Sequence, residues 1–167
     1  MFIEKGSDGM DFKDLMSGFG AKVGIPDLAP DSENTCRIDI DGMSVSFMQH
    51  QESDMVVTWA EVSEPPPEGV TILYRVLMES MFMGQGTGGS TFSIEPESKK
   101  IFLHRLDPLA LMDLDSFCTM LEKFVNVLEQ WRKLIADFRP VAEEVGKSSG
   151  EAAPGPLDGG MGGFMQV

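Results

Sequence analysis

The sequence predicts an α+β domain in the order helix, three-stranded antiparallel meander, helix, β-hairpin and long C-terminal helix. Three observations lead to this fold class. Apolar residues keep a helical period for about seven turns between Leu114 and Phe138. Two groups of short segments alternate apolar and polar residues, as half-buried strands do. The dipeptide Asp41-Gly42 lies between two of these segments, and it is a strong signal for a two-residue hairpin turn.

The first half of the chain supplies one helix and the meander. The helix is predicted over residues 11–23, with Ser7 or Asp8 as its cap and Gly24 as its end. Strands are predicted over residues 36–40, 45–48 and 55–59. The apolar residues of the helix recur at intervals of three and four and form one stripe: Phe12, Leu15, Met16, Phe19 and Val23.

The second half supplies a helix, a hairpin and the long last helix. Three prolines at 65–67 end the sheet, and a helix is predicted over 68–82. The glycine-rich residues 84–89 are predicted to be a flexible connection to a hairpin formed by 92–94 and 101–105. Asp113 is the expected N-cap of the last helix. We therefore predict a single domain over 1–138 and a flexible tail, rich in Gly and Pro, over 139–167.

The charge balance narrows the class of partner. The chain has 13 basic and 27 acidic residues, which gives a net charge of −14. Nucleic acid and anionic lipid are repelled by such a charge, because phosphate binding needs clustered Lys and Arg. No segment reaches the ~20 apolar residues of a membrane span, and the N-terminus lacks the pattern of a signal peptide. We expect a cytoplasmic protein that binds no nucleic acid and inserts in no membrane.

No group of residues predicts catalysis, a cofactor or a metal. The glycines at 84–89 are not followed by the Lys-Ser/Thr of a phosphate-binding loop. A cysteine-dependent enzyme would need Cys36 or Cys118 beside His50 or His104, and Cys118 lies on the apolar stripe of the last helix. We expect a protein that is not an enzyme and uses no cofactor, with a cysteine-dependent enzyme as the less favoured alternative.

Several segments, in their order and spacing, are similar to those of one known family. They are FGAKVGIPDL at 19–28, CRIDIDG at 36–42, LMESMF at 77–82, GTGGSTFSIEPE at 86–97, and LEKFV and EQWR at 121–125 and 129–132. Together these segments resemble the class I type III secretion chaperones, the family that includes escorts of Tir-like effectors. The resemblance implies a homodimer that binds the non-globular N-terminal segment of a secreted effector and keeps it competent for export. A regulatory module of the same fold that sequesters another protein is the alternative.

The resemblance also leads to two sets of expected site residues. Family members commonly dimerise through the second helix and the strands flanking residues 84–89, and the residues expected at that interface are Ile72, Leu73, Val76 and Leu77. An extended partner is stabilised by apolar anchors in grooves and by pairing with an edge strand. The expected groove walls are the first-helix residues Phe12, Leu15, Met16 and Phe19 and the strand residues Val45 and Phe47. For each of these six, the alternative assignment is the core of the same chain.

Overall fold

The computed structural model describes residues 10–50 and 52–140, and its elements follow the predicted order and fold class. Its helices are α1 (Phe12–Val23), α2 (Val70–Ser80) and α3 (Leu114–Ala136), and its strands are β1 (Thr35–Ile40), β2 (Met43–His50), β3 (Met55–Ser63), β4 (Thr91–Ile94) and β5 (Ile101–Pro108). Short 3₁₀ turns cover Phe82–Gly84 and Leu109–Leu111. The proposed caps Ser7 and Asp8, and the predicted tail beyond Pro140, lie outside the described residues.

The five strands form one antiparallel sheet in the order β1-β2-β3-β5-β4. Asp41 and Gly42 form the tight turn between β1 and β2, and both have positive φ, at 50° and 77°. That backbone conformation is the one that a two-residue hairpin requires, and Asp and Gly adopt it more readily than most residues. The order places β1 at one edge of the sheet and β4 at the other.

Helix ends follow from local hydrogen bonds. Asp11 is the N-cap of α1, where its carboxylate accepts from the Asp14 backbone N–H at 2.7 Å. Asp11 therefore takes the position that we expected for Ser7 or Asp8. Asp113 caps α3 as predicted, in a reciprocal pair of bonds with Ser116. Gly24 ends α1 with a left-handed φ of 78°.

The core lies between the helices and one face of the sheet. The Phe117 ring of α3 contacts Phe19 of α1 and Phe47 of β2 edge-on, with ring centroids 5.1 Å and 5.3 Å apart. Leu73 and Leu77 of α2 belong to the same buried cluster. No helix of the described residues is long and apolar enough to cross a membrane.

The glycine-rich loop is packed, which corrects the prediction of a flexible connection. The Trp131 indole N–H donates to the Gly86 carbonyl at 2.8 Å, and the Gly86 N–H donates to the Ser80 carbonyl at 3.0 Å. Thr87 is fully buried. A Cβ at residue 86 would lie 2.8 Å from the Ser80 oxygen, so glycine is required there for close approach, not for mobility.

Candidate protein-binding sites

The six residues that we expected to form a binding groove lie in the core. The side chains of all six are at most 4% exposed: Phe12, Leu15, Met16, Phe19, Val45 and Phe47. The structure thus corrects the groove assignment in favour of its alternative. The physical reason is that the α1 stripe packs into the core with α3, where the Phe117 ring contacts both Phe19 and Phe47. Of the six, Phe19 also lines an open groove.

The expected dimer residues of α2 divide between two faces. Leu73 and Leu77 are buried in the core, whereas Ile72 is half-buried and Val76 is 38% exposed. A helix has room for both faces, since residues at i and i+4 lie on one side and those between them point elsewhere. Leu73 is buried within the chain and is therefore not part of an outer surface. Leu77 is buried as well, but it also lines a small cavity.

A larger apolar surface continues from α2 into the following turn. Met78, Phe82 and Met83 are 66%, 72% and 78% exposed. Beside them, between α2 and the β4–β5 hairpin, lies a cavity of about 140 Å³. We call this surface the α2 patch; it consists of the exposed Met78, Phe82 and Met83 and of the other residues that line the cavity, Tyr74, Leu77, Met81, Phe92, Ser93, Ile94 and Ile101.

A second apolar surface is an open groove of about 860 Å³, which we call the α1–β1–α3 groove. It lies between the C-terminal end of α1, the edge strand β1 and the middle of α3. Its apolar lining is Phe19, Val23, Ile25, Ile38, Ile40, Leu121 and Val125, together with Cys118. Val23 is 48% exposed. The groove is therefore a surface that apolar side chains of another segment can cover.

The groove runs beside an unpaired strand edge. β1 pairs with β2 on one side, and no other strand of the described residues pairs with its outer edge. Such an edge offers N–H and C=O groups to an added strand. The sequence pattern missed this site, although Val23 belongs to the α1 stripe and Ile40 ends the alternating run of β1. The feature of the sequence that could have indicated this site is the position of the two residues, because Val23 ends α1 and Ile40 ends β1.

Charges line the groove as well. Asp39 and Asp41 lie at the turn end of β1, and Glu122 lies on α3. The cation in the lining, Lys22, forms an ion pair with Asp115 at 2.7 Å. The hydrogen bond to Asp115 raises the pKa of Lys22 above its usual value. Lys22 is thus held at one end of the groove by a carboxylate of α3.

The face of the sheet away from the core carries a shallower pocket of about 420 Å³, lined in part by Trp59, Phe102 and His104. His104 Nδ1 lies 3.2 Å from the Ser93 hydroxyl. Partial burial lowers the pKa of His104, because desolvation disfavours the charged imidazolium. At neutral pH the ring is uncharged, and the pocket is mainly apolar.

The residues of the cysteine-enzyme alternative are not assembled into a reactive pair. His50 Nδ1 lies 3.0 Å from the Ser53 hydroxyl, and His104 faces Ser93. Burial raises the pKa of the Cys36 thiol, which is the opposite of what a thiolate nucleophile needs. In residues 10–50 and 52–140, no three His, Cys, Asp or Glu side chains form a group that could hold a metal ion.

Comparison with known families gives one match. The model of the Tir chaperone protein (CesT) family matches residues 14–132, which is more than half of the chain. The matched range begins in α1 and ends in α3, so it contains both the α2 patch and the α1–β1–α3 groove. No curated protein sequence matches the chain significantly.

Solved structures with a similar fold include three protein complexes, two of which contain a chaperone. The ExsC–ExsE complex matches with a TM-score of 0.65 and 21% identity, over 75% of this chain and 97% of that one. The HopA1–SchA chaperone–effector complex matches with a TM-score of 0.64 and 15% identity, over 73% and 93%. The Yersinia pestis type III secretion chaperone SycH, solved with a fragment of YscM2, matches with a TM-score of 0.57 and 13% identity, over 72% and 99%.

Proposed function

Because the chain belongs to the Tir chaperone (CesT) family, we propose that it is a chaperone for a type III secretion effector. In this proposal it binds the non-globular N-terminal segment of the effector and keeps that segment competent for export. Structures of similar fold that contain a chaperone with an effector support the choice of partner. The observation that carries the proposal is the apolar groove beside the free edge of β1.

The groove suits an extended segment better than a folded domain. An added strand forms main-chain hydrogen bonds with β1, whatever its sequence, and places alternate side chains over the apolar lining. Full burial of one large apolar side chain contributes ~1.5–3 kcal/mol, so two or three anchors are enough for binding. No energy source is needed, because binding an unfolded segment stabilises it without any covalent step.

The second part of the proposal is a homodimer formed through the α2 patch. Phe82 and Met83 are more than two-thirds exposed, and large apolar side chains of this exposure favour burial against a partner surface. A second copy presents the same patch, so a twofold contact covers both. Of the expected set, Leu77 lines the cavity of the patch and Leu73 belongs to the core, whereas Ile72 and Val76 lie on another side of α2. A stable interface of this kind covers ~1,600 Å² in total.

We further propose that the protein works in the cytoplasm and catalyses no reaction. Support comes from the chaperone family, from the raised pKa of the Cys36 thiol, and from the two histidines, whose rings lie at hydrogen-bond distance from serine hydroxyls. The net charge of −14 favours a basic or apolar polypeptide over nucleic acid as the partner.

Co-purification tests the effector proposal. The tagged chain and its Val23→Asp variant are recovered from the native cell, and the bound proteins are identified by mass spectrometry. We expect a secreted protein to accompany the native chain and to be lost with Val23→Asp, because the new carboxylate lies in the apolar groove. Leu134→Asp is the matched control, since Leu134 is a similarly exposed apolar residue of a helix outside the groove.

The bound protein is then truncated. Removal of its N-terminal segment should abolish co-purification, and secretion of that protein should fall in cells that lack the chaperone. Retention by Val23→Asp, or binding that does not need the N-terminal segment, would contradict the proposal. A bound protein that is never secreted would favour the regulatory module instead.

Light scattering tests the dimer. Met78→Asp combined with Phe82→Asp should convert the dimer to a folded monomer, because both side chains are exposed within the protomer and their loss spares its core. Leu111→Asp is the control, since Leu111 is also exposed and lies outside the α2 patch. A Met78→Asp/Phe82→Asp protein that stays dimeric would place the interface elsewhere.

A further inference from the structure

The carboxylates of the α1–β1–α3 groove have no cation to pair with inside it. Asp39, Asp41 and Glu122 all line the groove, and none of them takes part in an ion pair with a described residue. Lys22 is the cation of the lining, and Asp115 already holds it at 2.7 Å. The rim of the groove therefore carries uncompensated negative charge around an apolar floor.

This charge is a property of the groove and not of every apolar surface. The cavity of the α2 patch is lined by apolar and uncharged polar residues alone. The excess of acidic residues in the whole chain therefore does not by itself explain the carboxylates of the groove, because the cavity of the α2 patch has none. The two sites call for different occupants: an uncharged apolar surface at α2, and a segment with both apolar and basic side chains at the groove.

The geometry of a strand allows one segment to meet both demands. Side chains of an added strand alternate, so one set can cover Val23, Ile40 and Val125 while the set between them stays near the rim. Asp39 and Asp41 lie on the β1 side of the groove, and Glu122 lies on the α3 side. A single Lys or Arg at an intervening position can reach a carboxylate of this rim without burying its charge.

We infer that the groove selects an extended segment in which a basic residue stands between apolar anchors, near the β1–β2 turn. This inference rests on the proposed function and names the chemistry of its partner. The apolar anchors supply most of the affinity, and the rim supplies the selection. Exposed ion pairs are weak because water and salt screen them, so one basic residue that meets two carboxylates gives a preference of about fivefold.

Peptide binding tests the inference directly. The probes are three fluorescein-labelled peptides of about ten residues, the upper length of an ordinary strand. Ile alternates with Thr in all three, and one central Thr is replaced by Arg, Gln or Glu. Fluorescence anisotropy with the full chain should show the order Arg, then Gln, then Glu. Added salt should weaken the Arg peptide toward the Gln peptide, because the pair is exposed and is screened.

The variant Asp39→Asn/Asp41→Asn should remove the preference for Arg and leave the affinity for the Gln peptide unchanged. Asn at 41 keeps the turn, since Asn adopts the positive φ of 50° that Asp41 has. Glu52→Gln/Glu97→Gln is the matched control: it changes the net charge by the same amount at two exposed turns outside the groove lining. This control should keep the full preference for Arg.

The outcomes separate the two proposals. Equal affinity of the native chain for the three peptides, or a preference for Arg that survives Asp39→Asn/Asp41→Asn, overturns the charge selection and leaves the groove as the binding site. Binding of all three that Val23→Asp does not weaken, or no binding at all, overturns the groove itself and the selection with it.

Discussion

Single side chains connect parts of this protein that are distant in sequence. Trp131 of α3 lies against Phe92 of β4, with ring centroids 5.1 Å apart, and its indole N–H donates to the carbonyl of Gly86. One residue thus links the last helix, the hairpin and the glycine-rich loop that precedes it. The loop borders the α2 patch, so the shape of that patch depends on a tryptophan that does not belong to it.

Trp131→Phe should separate the hydrogen bond from the ring contact. Phe retains an aromatic ring beside Phe92 but leaves the Gly86 carbonyl without its donor, so we expect the free energy of unfolding to fall by about 1–3 kcal/mol. Urea unfolding measures it. Trp59→Phe is the matched control, since Trp59 is half-buried on the outer face of the sheet. Equal effects of the two substitutions would mean that the bond to Gly86 contributes nothing.

His104 should make stability depend on pH. Its pKa is lowered by partial burial, so below the usual histidine pKa of ~6.5 the unfolded chain binds a proton that the folded chain resists. Stability should therefore be constant from this source above pH ~6.5 and fall as the pH drops below it. His104→Gln should flatten the decline in melting temperature over this range. His50→Gln, which removes the other histidine, provides the comparison, and a slope unchanged by His104→Gln would contradict the assignment.

At the scale of the element, α1 has two functions along one stripe. Its first two turns face the core, where Leu15 and Met16 are fully buried, and its last turn contributes Val23 to the groove. Substitutions in one helix should therefore have different consequences according to their position. Stability should depend on the first part, and partner affinity on the second.

Leu15→Ala should destabilise the fold by about 2–5 kcal/mol, because a cavity replaces a fully buried side chain. Val23→Ala should change stability by less than about 1 kcal/mol, since Val23 is half exposed. Denaturant unfolding measures both changes. A small effect of Leu15→Ala would contradict its place in the core and would favour the groove wall that the sequence predicted.

At the scale of the molecule, charge and apolar surface are distributed unevenly. Acidic residues outnumber basic ones by about two to one, so the folded chain repels itself. Ion pairs such as Lys100–Glu61 at 2.9 Å and Lys133–Glu129 at 2.7 Å oppose that repulsion locally. They are exposed or partly exposed, so solvent screens them and each contributes little to stability. Repulsion across the molecule should therefore outweigh them.

Salt should consequently stabilise the protein. Raising ionic strength from about 10 mM to about 150 mM shortens the screening length from ~30 Å to ~8 Å. We expect the melting temperature to rise by about 2–4 °C at fixed protein concentration, which corresponds to roughly 1 kcal/mol for a domain of this size. Sucrose at matched osmolarity controls for non-ionic effects. A melting temperature that falls with salt would mean that the ion pairs dominate.

The sequence by itself determined the elements and their order. The helical period of α3, the alternation in β1, the Asp41-Gly42 turn and the Asp113 cap are local properties, because they depend on residues within a few positions of one another. Periodicity also showed that the apolar residues of α1, and those of α2, form a stripe along each helix. It gave no information on what those residues contact, since a stripe toward the core and a stripe toward a partner have the same spacing.

Only the tertiary structure decided between those two uses. The tertiary structure buries Phe12, Leu15 and Met16, and it leaves Val23 exposed beside β1. It likewise buries Leu73 and Leu77 and exposes Met78, the next residue of the same helix. It also packed the glycine-rich loop against Trp131, a residue 45 positions from Gly86. The hydrophobic effect favours burial without fixing a partner, so burial is decided by which distant segments meet, and that information does not lie in any one segment.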